Sequence, residues 1–255
     1  MNLPILKRNK LQALAGIALS VLLAGVSPSI AETFRLDGVS MNLELPKGYC
    51  ALQRSQPAEK LFLDQQDRMQ KGTNSVIQVA VLCSRQQAFR DRKLVYERAM
   101  WLMNTPDGKP AILPEGMTRA GFIAEMAKTL PTLDINKINA DTDKSGKKEG
   151  VKLQINSSGT IDQNDDALYE GLVVRAERGS LASDVAVVTA VTTIAGHIVT
   201  LNLYADYVDR TSFDGLLASA KETLRRTVSA NGAAAPPKSL PPGMAPVGQG
   251  NPQKK

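Results

Sequence analysis

The sequence predicts an α+β domain, an antiparallel sheet covered by helices, and two observations carry that prediction. Val185 to Ile194 and Ile198 to Ala205 are apolar, β-branched runs separated only by Ala195-Gly196-His197, the pattern of an antiparallel hairpin. Elsewhere strand-like and helix-like stretches follow one another without the regular strand–helix–strand alternation that builds a parallel sheet. Between a leader and a Pro-rich tail lie about 200 residues, enough for one substantial core. We place the domain at residues 32–229 of the 255.

The elements are read in order. Met41-Asn42-Leu43-Glu44-Leu45 alternates apolar and polar and stops at Pro46-Lys47-Gly48, hence a strand and a turn. Pro57 opens a helix with Leu61, Phe62, Gln65 and Met69 at helical spacing, closed near Gly72. Val76 to Cys83 is a nearly continuous apolar run, hence a buried strand. Leu94 to Met103 has no clean face in either period and is assigned to strand. Thr118 caps a helix whose inward stripe is Phe122, Ile123, Met126, Ala127 and Leu130, and Pro131 ends it. The stretch from Asp134 to Gly150 is polar and loop-like. Val151 to Ile155, Tyr169 to Ala176 and Leu181 to Ile194 then read as strands. After the hairpin, Thr211 and Asp214 approximate a capping box, and Phe213, Leu216, Leu217, Ala220, Leu224 and Val228 keep the spacing of an amphipathic helix.

The two ends carry the address. Lys7, Arg8 and Lys10 precede an uncharged run of 16 residues from Leu11 to Val26, and Ser29-Ile30-Ala31 offers small residues at both positions a signal peptidase reads. The run is shorter than the roughly 20 residues of a spanning helix, so the reading is a cleaved signal over residues 1–31, with an uncleaved anchor as the alternative. A periplasmic or secreted location follows, without a transmembrane span in the mature protein. From Ala230 to Lys255, six of the fourteen prolines and four glycines mark a disordered tail. The formal net charge of +6 sits at these ends: Lys7, Arg8 and Lys10 at one, Lys238, Lys254 and Lys255 at the other, with no acid in either segment. The stretch between them is formally neutral, and a nucleic-acid-binding surface loses its support.

Export permits disulfides, and Cys50 and Cys83 are the only cysteines. A bridge between them would contribute about 3 to 4 kcal/mol in the chain-entropy model; two buried thiols or a redox site are the competing readings, without a C-x-x-C spacing for the latter.

The early extended segment running into Pro46-Lys47-Gly48-Tyr49, and the closing strands through Ile198-Val199-Thr200-Leu201-Asn202-Leu203-Tyr204 into an amphipathic helix, resemble the PsbP-like superfamily. The resemblance covers about a quarter of the chain and consists of pattern. It implies an antiparallel sheet covered by helices and a non-enzymatic accessory or binding role, as in photosystem II lumenal accessories and bacterial exported proteins of undefined role. It carries no functional residue across.

The residues that could carry chemistry are sparse. His197 is the only histidine, and at a hairpin turn its ring is expected to point to water. Asp141, Asp143, Ser145 and Gly146 begin like a calcium loop, yet position twelve is Lys152 instead of a bidentate Glu. Asp162, Asp165, Asp166 and Glu170 form an acidic cluster that could serve hydrolysis only if one carboxyl were pushed up by burial, and Gln163 and Asn164 make the segment look wet. Trp101, Met100 and Met103 could line an apolar ligand pocket, with core packing as the alternative. No catalytic, cofactor-binding or metal-ligating residue is assigned. The expected function is a non-enzymatic binding or assembly accessory of the cell envelope. The alternatives are a periplasmic carrier of a small apolar ligand and, more distantly, a hydrolase.

Overall fold

A seven-stranded antiparallel sheet is the frame of the computed structural model, which describes residues 32–36, 39–129, 139–140, 152–178 and 181–232. The expected leader, the calcium-like loop at Asp141 to Gly146, and the tail beyond 232 lie outside the described residues.

Strands β1 (Glu32–Leu36) and β2 (Val39–Leu43) pair as a separate antiparallel hairpin. In the main sheet β3 (Tyr49–Ala51), β4 (Asn74–Leu82) and β5 (Arg98–Asn104) form a meander. The chain then crosses to the far edge. There β6 (Lys152–Gln163), β7 (Leu168–Arg178), β8 (Leu181–Ile194) and β9 (His197–Asp206) run back as a second meander, until β9 pairs with β5. The spatial order is β3-β4-β5-β9-β8-β7-β6. Four helices lie among the described residues: α1 (Pro57–Gln70), α2 (Gln86–Arg90), α3 (Arg119–Thr129) and α4 (Ser212–Ala230).

Period-two alternation divides the sheet into two buried faces. On the first, Ala99, Trp101 and Met103 of β5, Ala186, Val188 and Ala190 of β8, and Val199, Leu201 and Leu203 of β9 pack against Leu216, Ala220 and Leu224 of α4 and against Met41 and Leu43 of β2. On the second, Val79, Val81, Met100 and Leu102 pack against Leu63 of α1 and the α2 region, while Phe122 and Ile123 of α3 close over Leu168, Val191 and Ile198. The central strands are thus covered on both sides, which explains why β4 reads as a continuous apolar run, while the edge strand β6 is largely exposed.

Several local expectations are corrected. The inward face of α1 is Glu59, Phe62 and Leu63; of the expected stripe Phe62 does pack against the sheet, whereas Leu61 is 57% exposed. Glu59 can be buried because Arg90 Nε donates to Oε1 at 2.6 Å and the Gln53 backbone N–H to Oε2 at 2.6 Å. The Thr211–Asp214 capping box does not form. Thr211 is already in helical conformation, so its side chain is misplaced for capping, and the Asp209 carboxylate accepts from the Thr211 N–H and hydroxyl instead. For α3 the Thr118 hydroxyl does accept the Gly121 N–H, at 3.1 Å. Ala230 and Asn231, assigned to the tail on composition, belong to the fold: Ala230 ends α4, and the Asn231 amide both accepts the Asn42 N–H and donates to its carbonyl.

Candidate functional site

Cys50 of β3 pairs with Val81 of β4, and one diagonal step further Cys83 begins the turn after β4. The two cysteines are disulfide-bonded, with Cα atoms 4.9 Å apart, so the bridge ties the short strand β3 to its neighbour β4.

The acidic cluster does not assemble. Strand alternation sends Asp162 of β6 and Glu170 of β7 to opposite faces, and only Asp165 and Asp166 occupy the turn between them. Asp162 pairs with Lys221 of α4, whose hydrogen bond, with that of the Gln163 backbone N–H, holds the carboxyl below the usual range. Asp166 meets Arg119 at 3.4 Å, and the same guanidinium donates to the Thr193 carbonyl at 3.0 Å, which anchors the start of α3. Glu170 is the surprise: half-buried on the second sheet face between Thr160 and Thr189, it makes no hydrogen bond or ion pair among the described residues. Burial pushes its carboxyl up. Gln163, Asn164 and Asp165 are exposed, but Glu170 lies outside that wet turn, because the strand continues to Gln163 and restarts at Leu168, leaving four residues for the turn.

His197 is also displaced from its expected place. It opens β9, pairs with Ile194 and is only 7% exposed, because residues 111–113 add a further rung beside it, with Ile112 bridged to His197. A polar ring at a turn tip became a buried one once that connection folded back.

Trp101 and Met103 are fully buried on the α4 face, and the indole N–H donates to the Glu44 carbonyl at 2.9 Å. Met100 points to the other face, so the three do not share one pocket. A cleft of about 290 Å³ lies elsewhere, between the end of α1 and the start of β4, lined by Asp67, Lys71, Asn74, Ser75 and Thr105 among others.

On the second face, against α1, Arg98 of β5 faces Tyr204 of β9 across the strand pair. Its guanidinium carbon stands 5.3 Å from the Tyr204 ring centroid and 5.5 Å from that of Phe62. Burial lowers the Arg98 pKa, against the opposing pull of Tyr204, Tyr96 and Glu97, and burial pushes the Tyr204 phenol up to about 12. Sequence reasoning missed this residue because the 94–103 stretch had no clean period. The odd polar member on an otherwise apolar face, with Met100 and Leu102, was the signal available.

One row along the same face, the Thr189 hydroxyl donates to the Asn202 side-chain carbonyl at 2.7 Å, next to Glu170. The polar groups of this face therefore lie side by side across the sheet, with β8 and β9 between Glu170 and Arg98. Among the described residues no three His, Cys, Asp or Glu side chains gather as a metal site. No described helix is long and apolar enough to cross a membrane.

No family model matches the chain, and none of the curated proteins does. Among solved structures, it is similar to the solution structure of cyanobacterial PsbP (CyanoP) from Synechocystis sp. PCC 6803. The likeness is 12% identity over 81% of this chain and 94% of that one, at a TM-score of 0.32. At that identity and score, no partner or residue role transfers.

Proposed function

We propose that the protein is an exported, non-catalytic accessory of the cell envelope that works by docking a partner protein. The observation that supports this most is the layout of the second sheet face. Glu170 and Arg98, two charged residues there that make no hydrogen bond or ion pair among the described residues, have two strands, β8 and β9, between them. Acid–base or nucleophilic chemistry requires its groups within about 3 Å of a common reacting atom. Groups spaced along a surface suit recognition of a partner's surface. The leader pattern at residues 1–31 and the Cys50–Cys83 bridge support export.

Crosslinking of the tagged protein in its own envelope tests the reading. Reproducible capture of one protein species, lost when the Arg98 face is altered, is the expected result. Native mass spectrometry showing a stoichiometric small ligand and no protein partner would overturn it in favour of a carrier.

A further inference from the structure

We propose that Arg98 is the anchor of a carboxylate-binding site, and that its ligand is an acidic peptide segment of the docked partner; this rests on the docking role argued above. Where other partly buried arginines leave solvent, a carboxylate of the chain meets them: Arg90 has Glu59 at 2.6 Å, Arg119 has Asp166 at 3.4 Å, and Arg226 has Glu44 at 3.4 Å. Arg98 is half-buried and has none. Among the described residues it makes no hydrogen bond or ion pair, and none of its nitrogens is sealed from solvent without a partner. What holds it is aromatic: the Tyr204 ring at 5.3 Å and the Phe62 ring at 5.5 Å, the latter fixed edge-on by Phe89 at 5.3 Å.

Contacts through π faces engage the charge of a guanidinium and leave its in-plane N–H groups for an acceptor. A carboxylate in that plane takes two parallel hydrogen bonds. Because the rings already restrict the side chain, less conformational freedom is lost on binding than for a surface arginine. One neighbouring feature selects the class of ligand. Glu97, which adds its negative field at Arg98 and lies 3.8 Å from Arg85, repels a dianionic phosphate more strongly than a single carboxylate.

The experiment is a titration of the purified, disulfide-intact full chain, followed through the Arg98 Nε–H resonance. The probes are tetraglutamate, with tetraglutamine and inorganic phosphate as separate arms. We expect a saturable shift with tetraglutamate, none with tetraglutamine, and weaker binding of phosphate. Arg98→Lys, which keeps the charge and loses the fork, weakens tetraglutamate about tenfold or more, Arg98→Gln abolishes the response, and Tyr204→Phe, which keeps the ring, retains it. An Arg98 resonance that does not saturate overturns the proposal, as does an equal response to tetraglutamine or undiminished binding by Arg98→Gln. Tighter binding of phosphate overturns the carboxylate assignment. If Arg98→Gln fails to fold, the wild-type resonance and Arg98→Lys decide. An Arg98 that binds tetraglutamate while envelope crosslinking captures no protein leaves the site standing and removes the docking role; the reverse outcome removes only the site.

Discussion

At the scale of single residues, the protein spends its polar groups in two ways. Glu59 is fully buried and answered by Arg90 and a backbone N–H, so removing Arg90 strands a carboxylate without its counter-charge. Arg90→Ala is expected to cost about 3 kcal/mol in a urea titration, near the low end for a buried pair because Arg90 itself is a third exposed. Glu170 is the opposite case. Its carboxyl is pushed up by burial, so the folded state holds the proton more tightly than the unfolded chain. Raising the pH through the glutamate range therefore costs stability, and lowering it restores what was lost. Glu170→Gln should raise the melting temperature at pH 7, with the gain vanishing below about pH 4, the ordinary glutamate range. A gain that persists at low pH would show that shape, not charge, is responsible. His197→Ala removes a ring buried against the β8–β9 turn and should cost roughly 1 to 3 kcal/mol; thermal unfolding shows whether the ring is packed or merely covered.

Elements succeed or fail in the sequence according to how much of their environment is local. The β8–β9 hairpin and α4 were legible almost residue for residue, since their apolar periods are long and the turn sits at the tip. Strand β6 was read only to Ile155, because Asn156 to Thr160 has no apolar members; it is strand because β7 supplies every partner, across two bulges. The acidic cluster failed for the same reason, since alternation about an unseen strand scatters it. For Arg98 the sequence offered only an odd polar member beside Met100 and Leu102, as its setting depends on Phe62 and Tyr204 arriving from a helix and a strand elsewhere in the chain. Gly171 of β7 illustrates contact between elements: a Cβ there would stand 2.9 Å from Ile161 Cγ2 and 3.3 Å from the Phe213 ring of α4. Gly171→Val should cost about 1 to 3 kcal/mol as α4 is pushed off the sheet, measured by denaturant unfolding.

For the molecule as a whole, the disulfide closes a stretch with a sequence separation of 33 that contains all of α1 and β4. Replacing both cysteines by serine should lower stability by about 3 to 4 kcal/mol; an unchanged urea midpoint would place the restraint of that region in the β3–β4 pairing alone. The other long-range tie joins the two ends of the domain. Asn231 clasps the backbone of Asn42, Thr227 accepts the Glu44 N–H, Arg226 holds the Leu45 carbonyl, and the Trp101 indole takes that of Glu44. The first strands and the last helix therefore hold one another in place, and loosening either end is expected to release the strap over Trp101. The lone tryptophan then acts as a completion signal, entering its buried setting only when the strap over it is latched.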